Sequence, residues 1–110
     1  MPTGSLFQDL PTDAAEEVFD TLITANGVTI ERIVSTGQAT PPGDWYDQGE
    51  HEFVVVLAGR AWVRLEAEAS DRELAPGDWL WLPARCRHRV TRTTADPATV
   101  WLAVFVPAGQ

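Results

Sequence analysis

The sequence predicts an all-β fold, a sandwich or a barrel of antiparallel strands within one domain of 110 residues. Short segments of five to eight residues, rich in β-branched and aromatic side chains, are separated by glycine- and proline-containing turns. Within residues 60–68, apolar and mostly polar side chains alternate with period two, which is typical of a strand covering a core on one side. No long helical pattern and no internal repeat interrupts this succession.

The N-terminal quarter predicts an arm followed by a hairpin. Residues 1–14 contain glycine and proline and lack periodicity, which favours an extended arm. Residues 16–24 suit either a helical stripe or a strand, and their β-branched content leads us to favour the strand. The Ala-Asn-Gly turn at residues 25–27 is typical of a hairpin, and residues 28–35 then alternate as its second strand.

The rest of the chain follows a glycine- and proline-rich loop at residues 36–44 and repeats one pattern of strand and turn. We expect the later strands at residues 51–57, 60–68, 79–84, 88–94 and 99–106.

Composition excludes several classes of protein. Sixteen acidic residues against eight basic ones give a net charge of −8, which repels nucleic acid and anionic membrane surfaces. No apolar run is long enough to span a bilayer, and the N-terminus lacks the features of an export signal. The single cysteine, Cys86, cannot form an intrachain disulfide. We therefore expect a cytoplasmic protein without a nucleic-acid or membrane partner.

The segment Trp45–Gly59 concentrates side chains able to bind a metal or move a proton. In a regular strand, alternation separates them into two faces: Tyr46, Gln48, Glu50 and Glu52 against Asp47, His51 and Phe53. His51 is then expected outside any site that contains Glu52, unless a bulge at Gly49 turns it inwards. The second histidine, His88, is expected to share a face with Val90 and Arg92, and Cys86 joins them if its segment is extended.

Two spaced motifs resemble the signature motifs of the cupin superfamily across about residues 28–106, and they comprise Glu52, Gly59, Gly77, Pro83 and His88. The chain departs from the family pattern at the first-motif histidines, replaced by Tyr46 and Gln48, and at two later positions, held by Arg85 and Arg92. The resemblance implies an antiparallel jelly-roll β-barrel with a ligand in its mouth. Residues 1–27 would form the N-terminal extended arm and first strand, and residues 28–110 the barrel.

The resemblance also implies a site. Gln48, Glu52 and His88 would hold a divalent Zn, Ni, Mn or Fe ion together with water. The alternative is a hydrogen-bonded pair of Glu52 and His88 without metal. Tyr46 and Glu52 are the candidates for proton transfer. Arg92 is the candidate anchor for a substrate carboxylate or phosphate, whereas Cys86 is either a ligand or nucleophile or an inert apolar residue.

These features predict a protein that binds a small polar or anionic molecule in its barrel. Catalysis, if present, would be metal-dependent oxygenation or isomerisation. The alternative is a non-catalytic ligand-sensing or structural dimer without metal. Trp62, Trp79 and Trp81 are expected to face outwards. That surface is too aromatic for a monomer, which favours a homodimer over burial beneath the arm.

Overall fold

The computed structural model describes residues 2–109, and this range contains eight strands and no helix. The strands are β1 (Val18–Ala25), β2 (Val28–Ser35), β3 (Glu50–Ala58), β4 (Ala61–Leu65), β5 (Arg72–Leu74), β6 (Trp79–Leu82), β7 (His88–Thr93) and β8 (Thr99–Pro107). Every pair of neighbouring strands is antiparallel. The all-β prediction is therefore confirmed. The ambiguous segment at residues 16–24 contributes to β1, which is the first strand of the hairpin.

Two sheets enclose the core. A five-stranded sheet has the order β1-β2-β8-β3-β6, and a three-stranded sheet has the order β5-β4-β7. The turn between β5 and β6 carries the chain from the edge of one sheet to the edge of the other. The described strands form no ladder that joins the two sheets, so the predicted closed barrel is not observed and the architecture is a pair of facing sheets.

Alternating burial of the side chains along β3 places core residues and the site residue Glu52 on the same face of one strand. Glu52, Val54 and Val56 are buried, whereas Phe53 and Val55 between them are only partly buried. The core contains ten buried apolar side chains, namely Ile33, Val54, Val56, Ala61, Val63, Leu74, Leu80, Leu82, Trp101 and Ala103. Glu52 thus stands at the end of an apolar row, which forces a carboxylate against the core.

The segment before β1 lies on the outer side of the larger sheet. Arg32 is only 8% exposed, and its guanidinium donates to the carbonyl oxygens of Leu6 and Gln8 at 3.2 and 2.6 Å. The same guanidinium pairs with Asp20 at 2.8 Å. Residues 6–9 form a turn, so the extended arm predicted for residues 1–14 is not observed in the described part of this segment.

Aromatic side chains remain exposed on the outer face of β6. Trp79 is 60% exposed and Trp81 is 48% exposed, as expected for outward positions. Trp62 is more covered, because the Arg92 guanidinium lies 4.5 Å from its ring centre. Among residues 2–109 there is no helix of the length and hydropathy needed to cross a membrane.

Candidate functional site

A cavity of about 80 Å³ opens between the two sheets. Its walls are mainly apolar, with Val54, Val63, Leu82 and Val90 among them. Five polar side chains interrupt this lining, and they are Glu17, Tyr46, Gln48, Glu52 and His88. The cavity therefore brings together four residues that the sequence singled out and one that it did not.

Glu52 is the most buried acid of the cavity, at 7% exposure. Burial raises the pKa of its carboxyl group, and the nearby Glu31 adds to this effect. The Gln48 amide opposes the shift by donating from Nε2 to Glu52 Oε1 at 2.9 Å, and His88 opposes it further. Glu52 and Gln48 share a face as the strand period predicts, although Gln48 lies just outside β3.

His88 begins β7 and is 5% exposed. Its Nδ1 lies 2.9 Å from the carbonyl oxygen of Cys86, so Nδ1 carries the proton and donates it to that oxygen. In the neutral ring, Nε2 is then an unprotonated acceptor that faces the cavity. Nε2 lies 3.9 Å from Glu52 Oε1, which is too long for a hydrogen bond. The direct hydrogen-bonded pair of Glu52 and His88, which was the alternative to a metal site, is thus not formed.

Tyr46 is fixed to His88 through both backbone and ring. The two residues exchange backbone hydrogen bonds of 2.7 and 3.1 Å, and their rings stack with centroids 5.3 Å apart. Burial raises the pKa of the Tyr46 hydroxyl, and the Glu17 carboxylate adds to the shift. Tyr46 therefore keeps its proton at neutral pH and can donate a hydrogen bond to a ligand.

Glu17 is the cavity residue that sequence reasoning missed. Its carboxylate accepts a hydrogen bond from the hydroxyl of Ser35, whose oxygen also accepts the indole N–H of Trp101 at 3.0 Å. No motif marks Glu17. The available signal was its parity with Phe19, which faces the cavity from β1.

The expectation that Arg92 shares the face of His88 is wrong. The ladder between β4 and β7 shifts register, because Trp62 pairs with Arg92 whereas the next residue, Val63, pairs with Val90. This bulge adds one residue to β7 and turns Arg92 outwards. Arg92 is exposed and covers Trp62, so it is not part of the cavity lining.

The remaining two candidates lie away from the cavity. His51 faces the other side of β3, where its Nδ1 accepts the backbone N–H of Ala84 at 2.9 Å and its ring neighbours Trp81. Cys86 is partly buried and packs against the apolar core. Neither side chain lines the cavity.

A resident metal centre does not fit the donor set. Gln48, Glu52 and His88 converge on the cavity, but within residues 2–109 no three His, Cys, Asp or Glu side chains form a group able to hold a metal. Gln48 directs its amide nitrogen, a donor, towards Glu52. One carboxylate and one imidazole remain, whereas catalytic zinc sites supply three protein ligands.

Comparisons with known proteins agree with this architecture. The cupin domain family profile matches residues 31–105. The search of curated proteins found no match. A solved structure from Ralstonia eutropha JMP134, of a candidate mannose-6-phosphate isomerase, is 47% identical with a TM-score of 0.95, and the alignment covers 98% of this chain and 100% of that one.

Two more distant structures share the fold. The TT1209 protein from Thermus thermophilus is 21% identical with a TM-score of 0.79, over 99% of this chain and 100% of that one. KdgF from Halomonas sp. is 18% identical with a TM-score of 0.71, over 93% of this chain and 90% of that one. Because the family profile spans most of the chain and the Ralstonia protein aligns over its whole length, the chain belongs to the cupin family.

Proposed function

We propose that the protein binds a small carbonyl compound in the cavity and catalyses its isomerisation by proton transfer. The observation that carries this proposal is the buried Glu52 carboxylate, held by Gln48 and facing a cavity of about 80 Å³. Burial raises its pKa above the usual range of a carboxyl group, which suits a group that must both accept and return a proton. The similarity to a candidate mannose-6-phosphate isomerase supports the reaction class.

The cavity side chains can divide the proton transfers among them. Glu52, when ionised, takes a proton from the carbon next to the substrate carbonyl, while Tyr46 gives its proton to the carbonyl oxygen. His88 Nε2 takes the proton of the neighbouring hydroxyl, and Glu52 returns its proton to the former carbonyl carbon. The net result moves the carbonyl by one carbon, and proton exchange with solvent restores Tyr46 and His88.

The side chains available as metal ligands favour isomerisation by proton transfer over oxygenation. Oxygen activation by a non-haem iron enzyme uses two histidines and one carboxylate. Here the cavity offers His88 alone, since His51 faces the other side of β3. Proton transfer needs only Glu52, Tyr46 and His88, which all line the cavity.

Deuterium exchange tests the proposal. Dihydroxyacetone and glyceraldehyde would be incubated with the protein in D₂O containing EDTA, and exchange of their carbon-bound protons followed by NMR. We expect catalysed exchange that falls by about 100-fold or more in Glu52→Gln, the usual contribution of a general base. Glu16→Gln is the matched control, because Glu16 is exposed and does not line the cavity. Equal rates in wild type and Glu52→Gln would refute the role of Glu52.

A non-catalytic, ligand-sensing dimer is the second candidate. The exposed Trp79 and Trp81 favour the formation of a dimer, because large exposed aromatic patches commonly mark interaction surfaces. Ligand binding without any catalysed exchange would support this second function over the first.

A further inference from the structure

The cavity carries negative charge without a cationic side chain to balance it. Glu17 and Glu52 are both among its thirteen lining residues, which include no arginine. The chain contains no lysine, so arginine is its only permanently charged basic side chain. The Glu31 carboxylate also acts on Glu52, as its effect on the pKa of that group shows.

Each arginine is engaged outside the cavity. Six of them pair with carboxylates, and these are Arg32, Arg60, Arg64, Arg72, Arg85 and Arg87. Arg89 donates to the carbonyl oxygen of Thr40 at 3.0 Å, and Arg92 lies over Trp62. Binding an anion in the cavity would require one of these contacts to break and the side chain to move.

The walls of the cavity supply aromatic rings. Phe19, Tyr46, Trp101 and Phe105 all line it. The face of an aromatic ring attracts a cation, and such contacts strengthen when the cation leaves water. His88 adds an acceptor, since its buried ring lines the cavity and Nε2 makes no hydrogen bond to any described residue.

We propose that the molecule bound in this cavity is a small organic cation, with an ammonium group between Glu17 and Glu52 and a hydroxyl or N–H directed at His88. The proposal deepens the proposed function, because it assigns a charge to the substrate of the same cavity. It replaces the expectation of an anionic ligand, which depended on Arg92. A phosphorylated sugar would meet two carboxylates with no countercharge.

The pH dependence follows from the same groups. Burial raises the pKa of Glu52, and an ammonium ligand binds the ionised carboxylate better than the protonated one. The titratable groups near Glu52 are His88, Tyr46, Glu17 and Glu31. Raising the pH ionises Glu52. This change favours a cation, so affinity increases as the pH rises through the titration of Glu52.

Choline and 3,3-dimethylbutan-1-ol provide a matched pair of probes, because they have the same shape and differ in charge. Binding to the full chain would be measured by calorimetry and saturation-transfer NMR at low ionic strength. We expect choline to bind about tenfold more tightly than the neutral alcohol, as expected for a desolvated cation against aromatic rings. Glu17→Gln should weaken choline binding by about fivefold or more. Glu16→Gln should leave it unchanged.

Three results would overturn the proposal: equal binding of the neutral alcohol, tighter binding of mannose 6-phosphate, or no choline binding at about 10 mM. Glu17→Gln can still accept the Ser35 hydrogen bond, so a loss of binding would not simply report unfolding. The exchange assay separates this inference from the proposed function. Choline selectivity without catalysed exchange would refute the isomerase alone, and exchange without charge selectivity would refute the cation alone.

Discussion

Replacing Ser35 with alanine tests the hydrogen bonds that fix two cavity-lining side chains, Glu17 and Trp101. Ser35 is fully buried, and its hydroxyl oxygen accepts the indole N–H of Trp101 at 3.0 Å while donating to Glu17. The substitution leaves a buried N–H without a partner, which costs about 1–3 kcal/mol. Glu17 is less buried, so water can replace part of its lost bond. We therefore expect Ser35→Ala to lower the free energy of unfolding by about 2–3 kcal/mol.

A double-mutant cycle tests whether the unpaired indole N–H of Trp101 causes the loss of stability in Ser35→Ala. Trp101→Phe removes the N–H, so Ser35→Ala in this background should cost less than about 1 kcal/mol. Urea denaturation followed by circular dichroism measures all four proteins. Ser70→Ala is the serine control, because Ser70 is exposed in a turn and its loss should change stability by less than about 0.5 kcal/mol. The same penalty for Ser35→Ala in both backgrounds would refute the reasoning.

Two further predictions concern the motif glycines and the metal. Gly59→Ala should destabilise the fold by more than about 1 kcal/mol beyond Gly77→Ala in urea denaturation. Both have positive φ, of 75° and 93°, but only at Gly59 would a Cβ lie 2.7 Å from the backbone of Ala98 and Thr99. Equal penalties would show that backbone conformation alone selects glycine. Elemental analysis of untagged protein after chelation should find Zn, Ni, Mn or Fe far below one per chain, because only Glu52 and His88 are strong donors. Stoichiometric metal that is lost in His88→Ala would contradict this expectation.

The sequence by itself determined the fold class and identified four of the five polar side chains that line the cavity. Alternation with period two is a local property of an extended chain, so it correctly separated Glu52 from His51 without any knowledge of neighbouring strands. The spaced glycine, proline and histidine positions correctly indicated the cupin family. They also indicated that His88 returns to the cavity occupied by Glu52.

Tertiary structure decided the charge of the cavity. A bulge in β7 depends on its pairing with β4, and this pairing, which no local pattern encodes, turned Arg92 away from the site. Glu17 enters the cavity because β1 pairs with β2 and brings it beside Ser35, eighteen residues further along the chain. Strand register is set by contacts between segments distant in sequence, so parity within one segment cannot predict which charges meet across the core.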